Sequence, residues 1–199
     1  MAVFLDEVEV ENEDKNYEPT LKTVFAELFD VAQKASRAIF KFAVDGKEYY
    51  IDVIQDFFDT KVKTIQKLEF FSITQKELFV KMSALGSSLI SMTKKLEKFS
   101  LLLNEGKDLE ALEVLQELSV IIHHLFLYHS LFIVFEIPME YDLNGKSLTA
   151  YRDEIHQMLR AIMDAFKAKD IVEASDIAEY ELAPVIENLG QSLDGILES

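Results

Sequence analysis

Ser119 to Phe135 reads SVIIHHLFLYHSLFIVF, seventeen residues with no formally charged side chain when the histidines are neutral. The run holds three of the four histidines of the chain. As a helix it spans about 25 Å, short of the hydrocarbon core of a bilayer. The nearest flanking charges are Glu117 and Glu136, where a membrane span favours Lys or Arg. No membrane association is therefore expected, and the run is read as the central helix of a globular bundle or as a face buried between copies of the chain.

The rest of the chain must cover that helix, and it has the means. A chain of 199 residues buries roughly two-thirds of its unfolded surface. With 49% hydrophobic residues it is too apolar for disorder, and 6 Gly and 3 Pro are too few for the turns of an all-β fold. Without cysteine, disulfides, thiolate metal sites and a Cys nucleophile are excluded, which suits a reducing compartment. The opening MAVFLDEVEVENED has no basic n-region or long apolar stretch, so a cytoplasmic location is expected.

Periodicity divides the chain. Ala2 to Glu11 alternates in part and reads as a strand or an acidic tail. Pro19 opens helix one, which runs to about Ala38. Ile39 to Val44, Asp45-Gly46 and Lys47 to Ile51 form a hairpin pattern, leaving a small β-element and a helix-turn-helix as alternatives. Helix two follows from Asp52 to about Ser72, with Val53, Ile54, Phe57, Phe58, Val62, Ile65, Leu68 and Phe71 at helical spacing. Thr74 and Glu77 make a capping box for helix three, which ends near Leu103 before Asn104-Glu105-Gly106. Helix four, capped by Asp108, extends to Phe135 and stops at Pro138. Helix five covers Leu148 to Ala168, and helix six starts at Asp170 with a kink at Pro184. The fold expected is mainly α: an antiparallel bundle of about six helices over 52–199, with residues 1–51 holding the acidic start, helix one and the candidate hairpin.

Two finer patterns stand out. Ser83, Ser87 and Ser91, with Gly86 and Ser88 among them, make a small-residue stripe on helix three, suited to close packing or to a groove. Lys107-Asp108 before one helix is echoed by Lys169-Asp170 before another, so helices three and four and helices five and six read as two similar hairpins. The segments VDGKEYYI, SALGSSLISMTKKLEKFSLLLNEGKDLEALEVLQELSVIIHHLF and LRAIMDAFKAKDIVEASDIAEYELAPVIENL resemble a group of small acidic bacterial helical proteins of unknown function. The resemblance covers 44–189 and is sharpest at Lys169-Asp170 and from Asp176 to Leu182 with Pro184. It implies a cytoplasmic helical bundle and assigns no catalytic residue. His123-His124 stands where that group carries an aromatic residue.

Net charge is -16, and acids concentrate at the two ends. Residues 170–199 hold eight acids and no base, while 61–98 hold eight Lys against three Glu. An acidic chain is repelled by phosphate backbones, so nucleic acid is not the expected partner. The acids either match the Lys-rich segment internally or meet a basic protein, with Glu173, Asp176, Glu179, Tyr180 and Glu181 as candidate contacts.

Chemistry has few footholds. His123, His124 and His129 point in three directions at 100° per residue, so one helix cannot bring them to one metal. His129 falls in the apolar arc and must be neutral or partnered. His124 shares a stripe with Glu117 and Tyr128, and these three with His129 are the candidate ligands for a small molecule or metal. Glu-x-x-His, Gly-x-Ser-x-Gly and phosphate-loop patterns are absent. The reading is a non-enzymatic interaction module, with no cofactor and no metal, acting as an adaptor, chaperone-like or assembly factor; the alternatives are a ligand-binding bundle and a homo-oligomeric structural protein, a homodimer being the simplest form.

Overall fold

The structure, a computed structural model, describes residues 2–10, 20–61, 64–143 and 145–197. The chain is mainly α and also carries a five-stranded mixed sheet. Its contacts fall into two units, Met1–Leu78 with Leu131–Glu136, and Phe79–Ser130 with Ile137–Ser199. The division placed between 51 and 52 from sequence falls inside the first.

In the first unit β1 (Ala2–Leu5), β2 (Val8–Glu9), β3 (Arg37–Val44), β4 (Lys47–Tyr50) and β5 (Lys67–Thr74) lie in the order β2-β1-β5-β3-β4. β1 runs parallel to β5, and the other neighbours are antiparallel. Asp45-Gly46 turns β3 into β4 with both residues at positive φ, as the hairpin pattern requires. Asp45 Oδ1 also accepts the Gln66 and Lys67 amides, both at 2.8 Å, which fixes the turn against the start of β5. Helix α1 (Leu21–Lys34) buries Leu21, Val24, Leu28 and Ala32 in the core that also holds Ile39, Phe42, Leu68 and Phe70. Phe42 is fully buried, with Tyr49, Phe57 and Phe70 around it at 5.3 to 6.2 Å.

Two expectations change here. The helix read over Asp52 to Ser72 is instead a 3-10 segment, Ile51–Phe57, and the strand β5. Leu68, Phe70 and Ser72 are all buried at a spacing of two, and so short an apolar run satisfies either period. β5 then separates β1 from the β3–β4 hairpin, so the N-terminal strand pairs with β5. Helix one closes at Lys34, and Ala38 already belongs to β3; Pro19 lies outside the described residues.

The second unit holds α2 (Gln75–Leu96, from Phe79 on), α3 (Phe99–Asn104), α4 (Asp108–Ser130), α5 (Leu148–Ala168), α6 (Ile171–Asp176) and α7 (Ala183–Asp194). The capping box is made at the start of α2: the Glu77 amide donates to Thr74 Oγ1 at 3.2 Å, and Glu77 Oε2 accepts the Thr74 amide at 2.7 Å. The helix expected to reach Leu103 breaks after Leu96 and resumes as α3. Gly86 of α2 and Gly190 of α7 are in backbone contact, so the centre of the small-residue stripe packs against a helix. Ser88, which is exposed, donates from Oγ to the Ala84 carbonyl one turn back on its own helix at 3.1 Å.

The apolar run is divided. α4 ends at Ser130, and Leu131–Phe135 forms a 3-10 turn that packs on β3 within the first unit. Asp108–Phe135 is long and apolar enough to cross a bilayer by length and composition: its most apolar 18-residue window has mean hydropathy 1.8, and 44% of that window is buried within the protein. Asp108 sits in the first turn of α4, whose first helical bond runs from the Ala111 amide to the Lys107 carbonyl.

Candidate functional site

The candidate contacts of the acidic C-terminus lie on one continuous helical arm, α6, a π-helical turn at Ile177–Leu182, and α7. Asp170 opens it, with Oδ1 accepting the Glu173 amide at 3.0 Å. The π turn is closed by the Ala183 amide, which reaches back five residues to the Ala178 carbonyl. Pro184 has no amide to offer the Tyr180 carbonyl. The kink expected at Pro184 is thus a widened turn just before it.

The turn sorts the acidic residues into two kinds. Glu179 points inward, its Oε1 accepting the Ser100 amide at 2.7 Å. Ser100 lies in the first turn of α3, whose amides have no helical acceptor, and the N-cap residue Lys98 supplies no side-chain bond. Glu179 is therefore spent on holding α3. Glu173, Asp176 and Glu181 are exposed and form no ion pair among the described residues. Tyr180 is 74% exposed. Val172, at 70%, lies four residues before Asp176. The result is a face that carries carboxylates and one large amphipathic ring.

The Lys-rich segment does not neutralise this face through the ion pairs seen: Lys67 pairs with Glu69, and Lys95 with Glu117 at 2.5 Å. His124 is half-buried, its ring 5.8 Å from that of His123. Tyr128 and His129 are buried. Among the described residues no group of three or more His, Asp or Glu is placed to hold a metal ion. Ser88, Ser91, Met92, Glu117, Val120 and Ile121 line a shallow open groove between α2 and α4.

His129 is a structural joint. It is 3% exposed, and its Nε2 lies 2.9 Å from the Met139 carbonyl, which makes Nε2 the protonated, donating nitrogen. Burial pushes the imidazole below its ordinary pKa. The Met139 carbonyl pulls the other way, Arg152 adds to the depression, and Glu140 opposes it. Phe126 sits edge-on to His129 at 6.4 Å and lies under the Arg152 guanidinium. The sequence pointed to the His129 site by its place in an apolar arc; it carried no sign of the Glu179–Ser100 bond, whose partners are 79 residues apart.

Comparison with known proteins supplies lineage and no activity. A family model described as "Domain of unknown function (DUF8042)" matches residues 81–192, which lie almost wholly in the second unit. An uncharacterized protein of Treponema pallidum (strain Nichols) is 24% identical over 181 residues, covering 91% of this chain and 89% of the relative. No solved structure matches.

Proposed function

We propose, from the premise that the chain belongs to the DUF8042 family, that it is a non-enzymatic interaction protein that takes a basic partner on the α6–π–α7 arm. The observation that carries this reading is Tyr180, exposed on a widened helical turn between carboxylates that have no internal ion pair. A buried tyrosine at an interface supplies large contact area at low entropic cost, and flanking acids select cationic side chains and speed encounter. An adaptor, chaperone-like or assembly role in the cytoplasm, away from nucleic acid and membrane, fits the charge, and the paired hairpins of the second unit are the antiparallel scaffold that presents the arm. The run from Asp176 to Pro184 is the segment we assign as the mark of this group of bacterial proteins.

The test is a pull-down from the native cell extract with the full chain and with a variant carrying Glu173→Lys, Asp176→Lys and Glu181→Lys. The expected result is loss of partners whose binding to the parent weakens with salt. Retention of every native partner by the variant sinks the proposal. Glu179 is left unchanged because it holds α3.

A further inference from the structure

The two helical hairpins of the second unit repeat each other, and the second copy is one residue longer. In the first, Gly106 takes the left-handed conformation at φ 72, and the Gly106 and Lys107 amides donate to the Leu103 and Leu102 carbonyls. In the second, Lys169 takes it at φ 60, and the Lys169 and Asp170 amides donate to the Phe166 and Ala165 carbonyls. Both next helices open alike, Ala111 amide on Lys107 carbonyl and Ala174 amide on Asp170 carbonyl, each at 3.1 Å. The equivalence is therefore Lys107 with Asp170, one residue off the Lys-Asp echo visible in the sequence.

Part of the buried set follows the same register. Met92 and Phe99 match Ile155 and Ile162 before the turn, and Ala111 and Leu115 match Ala174 and Ala178 after it, all at 5% exposure or less. Then the match steps by one residue. Leu118, Ile122, Leu125 and His129 of α4 correspond to Leu182, Ile186, Leu189 and Leu193, again all buried. The surplus residue lies between Ala178 and Leu182, inside the π turn. Such a turn is how a helix absorbs one residue, since without it every later side chain would rotate by about 100°.

We infer that the α6–π–α7 arm is a one-residue-expanded copy of the α4 arm, and that Tyr180 is the surplus residue, displayed outward while the core register is kept. Packing does not call for it: α4 buries the matching positions without it. Pro184 has adapted to the expansion, because in a regular helix its ring would press on the carbonyl four residues back. Val120 occupies the matching position of α4. The inference deepens the partner reading by naming why Tyr180 is exposed, yet its test involves no partner.

The test compares unfolding midpoints of the full-length chain with Pro184→Ala alone, with Tyr180 deleted in the Pro184→Ala background, and with Gln116 deleted from α4. Gln116 is exposed and lies between the matching positions Leu115 and Leu118. Deleting Tyr180 should leave the midpoint at or above that of Pro184→Ala. Deleting Gln116 should lower it by about 10 °C or more, or prevent folding, because four buried side chains leave the core. Equal losses in the two deletions, or failure of the Tyr180 deletion to fold, would overturn the inference. Either outcome leaves the charge-reversal experiment independently decidable.

Discussion

Gly86 and Gly190 touch backbone to backbone where α2 crosses α7. A Cβ on Gly86 would lie 2.7 Å from the Gly190 carbonyl oxygen, and one on Gly190 would lie 2.9 Å from the Gly86 carbonyl oxygen and 2.8 Å from Ile90 Cγ1. Backbone atoms cannot swing aside as a side chain can. Glycine to alanine inside a helix ordinarily stabilises by about 0.5–1 kcal/mol. Here the overpacking cost of about 1–3 kcal/mol outweighs it. Gly86→Ala and Gly190→Ala should each lower the thermal midpoint, whereas Gly195→Ala, with nothing within 4 Å and φ -80, should be neutral or slightly stabilising. A midpoint for Gly86→Ala at or above the parent's would refute the close crossing.

The His129 joint predicts a pH dependence of stability. Its folded pKa lies below the unfolded value near 6.5, so between the two the unfolded chain binds more protons. Stability is then complete above about pH 6.5 and falls as the pH drops toward the folded pKa. Urea midpoints should be lower at pH 5 than at pH 7.5. His129→Gln, which keeps a donor for the Met139 carbonyl but does not titrate, should flatten that difference. An equally steep dependence in the variant would move the effect to other groups.

Much of the helical part of the chain was legible in sequence because its signals are local. The capping box at Thr74 and Glu77, the Gly106 turn and the Asp170 cap each need only a few neighbouring residues. What was missed depends on distant partners. Lys67 to Thr74 becomes a strand because β1 and β3 flank it, and its apolar residues satisfy a helical period equally well. The end of the apolar run, Leu131 to Phe135, belongs to a different unit from Ser119 to Ser130, a division that composition does not mark. At the candidate site, periodicity supplied His129 and charge supplied the acidic face. The different roles of Glu179 and Tyr180 emerge only from the widened turn Ile177–Leu182 that holds them both.

In the first unit Asp6 clamps the β1–β2 turn to β5. Its Oδ1 accepts the Ser72 amide at 2.7 Å, its Oδ2 accepts the Ser72 hydroxyl at 2.5 Å, and Arg37 donates to Ser72 Oγ at 2.7 Å. The Asp6–Arg37 ion pair is about one-third exposed and contributes little by itself. Ser72 is 6% exposed, and its amide is the group that cannot go unpaired. Asp6→Asn, which tolerates the same positive φ, should cost about 1 kcal/mol as a charged acceptor becomes neutral. Asp6→Ala should cost about 1–3 kcal/mol more clearly, since the Ser72 amide loses its acceptor. Urea unfolding of both variants checks the order, and an Asp6→Ala chain as stable as the parent would show that the clamp holds nothing.

Glu179 separates a structural acid from the recognition acids around it. Glu179→Gln keeps an oxygen for the Ser100 amide and loses only charge, so its thermal midpoint should stay close to the parent's. Glu179→Ala leaves the first turn of α3 without that acceptor and should lose about 1 kcal/mol, the usual worth of a helix cap, or roughly 2–4 °C in a chain of this size. Retention of partners by Glu179→Gln, set beside their loss on reversing Glu173, Asp176 and Glu181, would assign recognition to the outward carboxylates alone. If Glu179→Gln released the same partners with its midpoint unchanged, the inward carboxylate would also belong to the binding face, and the division of the arm into a holding residue and a contacting face would have to be withdrawn.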